Sequence, residues 1–345
     1  MTSQTVIQVR DVRRSFRSPK KEEGWKGTLG LLVSPKYESH EALKGVTFNI
    51  ESGSFVGLIG ANGAGKTTLL KILSGLIPPS SGDAQVLGFE PFKRPIEFRQ
   101  SISLVMGQKA QLWWDLPAVD AFDLIRAIYE IPTKTYRDRL GILTDLMDVK
   151  KHLNTQIRRL SLGERMKMEL IGALLHWPQV IFLDEPTIGL DVLAAHKLRE
   201  FLRVFNQQEK ATIILTSHNM DDIERLCSRI LILRSGEMIY DGPPGKLTRE
   251  GELMLRVRLM QTPTSEELQA VTGLSAKSID LKTGESAGEE NEDGSDLKSI
   301  YFHVKQDQVA SSLQKLMSKY QVVDMGMEEQ SLEKVIQRLY EDERG

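Results

Sequence analysis

Apolar residues recur along this 345-residue chain in two rhythms, and their alternation predicts the architecture. Short apolar runs bounded by turn residues read as strands: Val6–Val12, Gly45–Ile50, Ser54–Ile59, Ser101–Gly107, Val180–Asp184, Ala211–Thr216 and Ile230–Leu233. Between them, apolar positions at helical spacing predict helices over Lys66–Leu76, Ala118–Glu130, Lys134–Met147, Leu160–Trp177 and Val192–Gln208. Gly82–Phe89 reads as a turn. Strands alternating with helices imply a mainly parallel α/β sheet with its ligand at the carboxyl ends of the strands. Three successive helices, within about 108–178, interrupt the alternation and read as an inserted helical subdomain.

A second region begins at 245. Leu253, Leu255, Val257 and Leu259 alternate with polar residues as in a half-buried strand. Ser299–Val304, a helix to about Tyr320, Gln321–Met327 and a helix over Leu332–Glu341 complete a small α+β module at 245–345. Its acidic, Gly/Ser-rich stretch at 284–296 has no apolar anchors and is expected to be disordered. No catalytic constellation stands in this module. The division is therefore 1–244 and 245–345.

Composition narrows the function. A net charge of −2 supports no general nucleic-acid or lipid-binding role. The single cysteine, Cys227, excludes an intramolecular disulfide and fits a reducing compartment. The polar start, MTSQTVIQVRDV, carries no leader pattern, and no window approaches the roughly eighteen apolar residues of a membrane span. A cytoplasmic location is expected. Ser18–His40 is a long insert with Lys20, Lys21, Lys26 and Lys36 around Trp25 and Leu29. Two readings stand for it: a polar surface loop, or an amphipathic patch for a membrane surface or partner.

The candidate chemistry begins at Gly60–Thr68 (GANGAGKTT), with the spacing of a phosphate-binding P-loop. Gly60, Gly63 and Gly65, with Ala61, Asn62 and Ala64 between them, let the backbone turn and approach phosphate oxygens. The amides through Thr68 then open a helix, whose dipole favours negative charge. Lys66 can neutralise β- and γ-phosphates, and the Thr67 hydroxyl can ligate Mg²⁺. Asp184 ends an apolar strand, where it can hold the Mg²⁺ shell, and Glu185 beside it can polarise a water. His218 follows another apolar strand and can sense a γ-phosphate by hydrogen bonding. Gln108 follows the Ser101–Gly107 strand, within reach of metal or water.

This ordered set resembles the nucleotide-binding subunits of ABC transporters over about Val6–Gly242. Gln108 falls in the Q-loop position, Leu160–Glu164 (LSLGE) in that of the signature motif, Val180–Pro186 in that of Walker B. Gly189–Asp191 matches the D-loop and His218 the switch histidine, while Phe16 takes the place of the aromatic that stacks on adenine. The resemblance implies a P-loop NTPase of ABC type: a mainly parallel sheet core, an antiparallel β portion and an inserted helical subdomain. It implies an ATPase with ATP and Mg²⁺ as cofactors. Two chains pack head-to-tail, each P-loop facing the other's Ser161 and Gly163. Glu185 and a water carry hydrolysis, aided by Lys66, Gln108 and His218.

The signature departs from the usual LSGGQ, with Leu162 for a glycine and Glu164 for the glutamine. An added carboxylate near triphosphate is unfavourable unless it turns outward or pairs with a base such as Arg165 or Lys167. A tolerated branch variant and a weakened site in a heterodimer both remain open. The stretches MGQKAQLWWDLP and FLDEPTIGLD look similar to ATPase subunits of bacterial viologen and multidrug exporters. In that branch the permease is a separate transmembrane partner; the second ATPase chain is expected to be a copy of the first, with a heterodimer left open. That places the protein on the cytoplasmic face of the membrane. Trp113 and Trp114 fall where coupling helices dock, as an anchor or as core packing. The alternative function is a soluble ABC ATPase acting on nucleic acid or ribosomes, against which stand the single ATPase region and the lack of a basic face. The C-terminal module resembles accessory domains of drug-exporter ATPases, as a dimer stabiliser, a regulator or a simple extension.

Overall fold

The apolar runs of the first part of the chain build two sheets in the computed structural model. It describes residues 4–19, 37–107, 110–247, 252–260, 263–274, 279–282, 299–305, 308–329 and 332–341. Strand β1 (Thr5–Pro19) pairs antiparallel with β2 (Tyr37–Glu51). The chain then enters β3 (Phe55–Gly60), and β4 (Ser81–Val86) returns to the free edge of β1, giving the order β2-β1-β4. The second sheet joins β3 to β5 (Ile102–Met106), β6 (Val180–Asp184), β7 (Thr212–Thr216), β8 (Arg229–Arg234) and β9 (Glu237–Gly242). Its order is β5-β6-β7-β3-β8-β9, parallel throughout except for the β8–β9 pair.

Strands β6 and β7 are buried on both faces, which is why they read as unbroken apolar runs rather than alternating ones. Helix α1 (Lys66–Leu73) buries Leu69, Leu70, Ile72 and Leu73 in a core shared with Val9, Val56, Phe182 and Ile214 from both sheets. The positions of these strand ends relative to the start of α1 are set by that shared core. After β4 comes the short helix α2 (Ile96–Ser101). Helices α3 (Ala118–Ile128), α4 (Thr133–Leu146) and α5 (Leu162–Leu174) follow β5 in sequence, and α6 (Val192–Glu209) and α7 (Met220–Leu226) flank β7. No helix among the described residues is long and apolar enough to cross a membrane.

Three differences from the sequence expectations stand out. Gly82–Phe89, expected as a turn, contains strand β4: Ala84 and Val86 bury inward while Asp83 and Gln85 face solvent, an alternation diluted by the glycine and the acid. The hairpin of β1 and β2 extends to a Pro19–Tyr37 pair, so the flanks of the 18–40 stretch are strand, while residues 20–36 lie outside the described residues. Helix α7 escaped notice because it is only seven residues long, and its start is marked by Asn219, whose side chain accepts from the Asp221 amide.

Backbone contacts divide the chain into Met1–Pro244 and Gly245–Gly345. The second unit is an antiparallel sheet of β10 (Glu252–Leu259), β11 (Ile279–Lys282), β12 (Ser299–Lys305) and β13 (Val322–Glu329) in the order β11-β12-β10-β13. Helices α8 (Ser265–Thr272) and α9 (Val309–Lys319) supply Leu268 and Leu316 to a core with Leu255, Val257, Ile300 and Phe302. Helix α10 (Leu332–Glu341) ends the described chain. The acidic stretch 284–296 lies outside the described residues.

Because the first unit has its own core, a Met1–Pro244 fragment is expected to fold and retain nucleotide binding. Within it, Phe182→Ala removes a fully buried ring between the sheets. It should cost about 3–5 kcal/mol, read as a lower denaturant midpoint with an unchanged slope.

Candidate functional site

The loop between β3 and α1 is shaped by glycine. Gly65 sits at φ 106°, and a Cβ there would lie 2.5 Å from the Ala42 carbonyl oxygen, so no other residue fits. No side chain caps the start of α1, leaving its first amides free for an outside acceptor. The Lys66 ammonium donates to the carbonyls of Gly60 (2.5 Å) and Ala61 (3.2 Å). Burial lowers its pKa, an effect partly opposed by the charges of Glu185 and Asp184.

The ends of β6 and β7 meet α1 through one carboxylate. Thr67 Oγ1 donates to Asp184 Oδ2 (3.0 Å) and Thr216 Oγ1 to Asp184 Oδ1 (2.7 Å). Thr216 Oγ1 in turn accepts the Glu185 amide at 3.0 Å. Glu185 has φ 55°, a left-handed conformation rare for a residue with a side chain. Its carbonyl presses on Gly107, where an added Cβ would come within 2.1 Å of it. The Glu185 carboxylate lies 2.8 Å from His218 Nε2.

A cavity of about 260 Å³ opens over this loop. Its walls are Ala61 through Thr68, together with Phe16, His40, Ala42 and Glu185. Phe16 is 38% exposed, and the Arg14 guanidinium lies 4.7 Å from its ring centroid. The structure thus brings together Phe16, Gly60–Thr68, Asp184, Glu185 and His218. Gln108 lies outside the described residues. Ser161 and Gly163 do not line this cavity; they stand at the start of α5.

That start is capped from within. The Ser161 amide and hydroxyl both donate to Glu164 Oε2 at 2.9 Å, and the Glu164 amide returns a bond to Ser161 Oγ at 3.3 Å. His152 Nε2 lies 2.9 Å from the other carboxylate oxygen. The Ser161 bonds hold the Glu164 pKa below the usual carboxylate range. The sequence expectation of Arg165 or Lys167 as its partner is corrected: Lys167 donates to the Met147 carbonyl, and Arg165 lies over Trp114. A serine followed three residues later by a glutamate is a capping box, a signal the motif comparison hid.

Sequence reasoning also missed a buried carboxylate. Asp222 is fully buried and accepts from Thr187 Oγ1 (2.6 Å), Ser217 Oγ (2.6 Å) and Arg199 Nη1 (2.7 Å). It ties the segment after Glu185 to the segment before His218. A further groove, of about 480 Å³, is lined by Leu76, Arg94, Trp113, Tyr129, Glu169 and His176 among others. Glu169 accepts the amides of Gln111 and Leu112, anchoring the segment after Gln108 to α5. Burial raises its pKa and lowers that of His176 to about 4, so His176 is neutral at pH 7. Trp113 and Trp114 are 47% and 48% exposed.

The family model for ABC transporters matches residues 43–188. The ABC transporter ATP-binding protein NatA of Bacillus subtilis is 34% identical over 59% of this chain and 82% of its own length. Nod factor export ATP-binding protein I of Neorhizobium galegae is 32% identical over 63% of this chain and 62% of its own. Among solved structures, an ATP-binding subunit of an ABC transporter matches with a TM-score of 0.58 at 26% identity, covering 71% of this chain and 92% of that one. The dimeric, post-hydrolysis ATP-binding cassette MJ0796 with ADP and Pi shares the fold, with a TM-score of 0.57 at 23% identity over 69% of this chain and 98% of its own. With the P-loop, the strand-end carboxylates and these relatives in agreement, the chain belongs to the ATP-binding, ATP-hydrolysing subunits of ABC transporters.

Proposed function

We propose that this protein energises an exporter through separate transmembrane permease subunits, working as a head-to-tail pair of identical chains on the cytoplasmic face of the membrane. The observation that carries the catalytic part is the hydrogen-bonded series from Thr67 through Asp184 and Thr216 to Glu185, with His218 against the Glu185 carboxylate. Relatives named for Nod factor export support the export direction.

In this reading the free amides of α1 and Lys66 hold the β- and γ-phosphates, and Phe16 stacks on the adenine. Glu185 accepts a proton from the attacking water, and His218 fixes the carboxylate that does so. Thr216 holds both Asp184 and the backbone of Glu185, so the base is positioned by the sheet itself. Thr67 Oγ1 and Asp184 Oδ2 offer two hard oxygens 3.0 Å apart, a set that suits Mg²⁺, which takes few protein ligands beside phosphate oxygens. When bound there, with Gln108 as a further ligand, Mg²⁺ would neutralise charge on the transferring phosphate. Ser161 and Gly163 serve the partner chain's ATP, in line with their place outside the cavity of their own chain. The permease docks at the groove that carries Trp113, beside Trp114.

Three outcomes are expected. Glu185→Gln should abolish turnover, about 10²–10⁴-fold, and trap an ATP-bound dimer by size-exclusion chromatography. A wild-type chain that binds ATP yet neither dimerises nor turns over would mean a different second chain completes the site. Replacing Trp113 and Trp114 by alanine should weaken permease association by about tenfold or more while ATP affinity stays unchanged. Loss of ATP binding would make them core residues instead. Finally, Glu164→Gln keeps the capping geometry but removes a charge facing the partner's triphosphate. The ATP concentration for half-maximal turnover should fall about threefold or more. An unchanged or raised value would place Glu164 away from the interface.

A further inference from the structure

On α6, His196, Arg199, Glu200 and Arg203 follow one another at helical spacing, and Arg225 of α7 joins them. Together with Leu226 they line a concavity of about 390 Å³. Three guanidinium groups and an imidazole thus share one hollow with a single carboxylate. Arg203 and Arg225 have no ion-pair partner within the described residues, not even Glu200, although it lies one helical turn from Arg203. Arg199 is buried, donates through one Nη to Asp222, and has an Nε with no acceptor among the described residues. A buried donor left so is costly, and helix faces ordinarily balance such cations with acids at i±4.

We infer that this concavity is a second anion site, one that takes a phosphate-bearing ligand. The planar forks of arginine match phosphate oxygens in pairs, which a lysine cluster would not do. Unpaired cations set in a hollow also focus the field on an incoming anion. The volume exceeds that of a single phosphate and suits a condensed or esterified one. Two sources share that chemistry, a soluble polyphosphate compound and the headgroup of an anionic phospholipid.

Binding here would reach the ATPase site through one contact. Arg199 holds Asp222, and Asp222 holds Thr187 and Ser217, the hydroxyls that fix the segments beside Glu185 and His218. A phosphate that draws on Arg199 weakens its hold on Asp222 and alters the pairing of those two segments, so ligand and turnover are coupled. That coupling rests on the proposed roles of Glu185 and His218. The binding itself does not.

The test uses the full chain as Glu185→Gln, loaded with Mg²⁺ and ATP so that the P-loop is filled and then freed of unbound nucleotide by gel filtration. Tripolyphosphate is titrated in calorimetrically, and sedimentation with phosphatidylcholine vesicles, with and without phosphatidylglycerol, runs in parallel. The same measurements are made with Arg203→Glu/Arg225→Glu added, two exposed positions outside the proposed catalytic machinery, and with Arg225→Gln alone as the milder change. One further site per chain is expected for one of the two ligands, weakened about tenfold or more by the double charge reversal, with ATP still bound. Tripolyphosphate binding identifies a soluble ligand, and binding to anionic vesicles alone identifies a headgroup. If neither binds the ATP-filled chain, or if the double and single variants bind as the parent does, the site does not exist. ATP turnover by the Glu185→Gln chain would defeat the catalytic reading while leaving this test readable.

Discussion

The carboxylate of Asp184 is the contact on which the geometry of the catalytic end depends. It sits at the last position of β6, and each of its oxygens takes a hydroxyl from a different element, Thr67 at the start of α1 and Thr216 at the end of β7. Hydrogen bonds to a charged acceptor contribute about 1.5–3 kcal/mol each, enough to hold three chain segments in register. The position of Glu185 follows, because its amide rests on the same Thr216 hydroxyl and its backbone is forced into the left-handed region. Strain of that kind persists only where the surroundings over-determine it. Here a parallel sheet buried on both faces supplies the constraint, and Gly107 supplies the room for the Glu185 carbonyl.

Asp222 solves a different problem. The segments after β6 and β7 carry polar residues that must keep fixed positions without being part of a sheet. A buried carboxylate with a buried arginine and two hydroxyls does this, since loss of the arginine leaves an uncompensated buried charge and loss of either hydroxyl an unfilled acceptor. The two carboxylates differ in surroundings. Asp184 lies beside the open cavity where phosphate and metal are proposed to bind, while Asp222 is sealed from solvent and has every oxygen occupied.

How much of this was legible in the chain follows from which interactions are local. The β6 and β7 strands were read almost to the residue, because a doubly buried parallel strand has no option but a continuous apolar run. The P-loop was legible for a similar reason, its glycines being dictated by backbone geometry. Strand β4 was not, since a glycine and an acid in an edge position dilute the period-two pattern to two inward residues. Asp222 could not be found from sequence at all: its partners lie 35, 23 and 5 residues away, and no spacing rule connects them. The partner of Glu164 follows from the local rule of the capping box, which names Ser161, and not from the added charge that sets LSLGE apart from LSGGQ.

The two helix starts that matter here are built oppositely. Helix α1 leaves its first amides without a side-chain acceptor, so that on the proposed reading a phosphate would complete the helix rather than compete with it. Helix α5 is capped already at one amide, that of Glu164 on Ser161 Oγ, while the carboxylate of Glu164 occupies the amide and hydroxyl of Ser161. On the two-chain reading, the γ-phosphate of the partner's ATP must exchange one anion for another at that second start. Such an exchange gains less from the helix dipole than binding at an uncapped start, because a carboxylate already stands at the helix N-terminus. The rest of its driving force must come from elsewhere, and His152 is placed to lower the cost: it already contacts the other oxygen of Glu164 and can retain the carboxylate once Ser161 lets go. A glutamine at 164 would cap the helix without bringing a charge, so the glutamate makes closure depend more steeply on how well the displaced carboxylate is received.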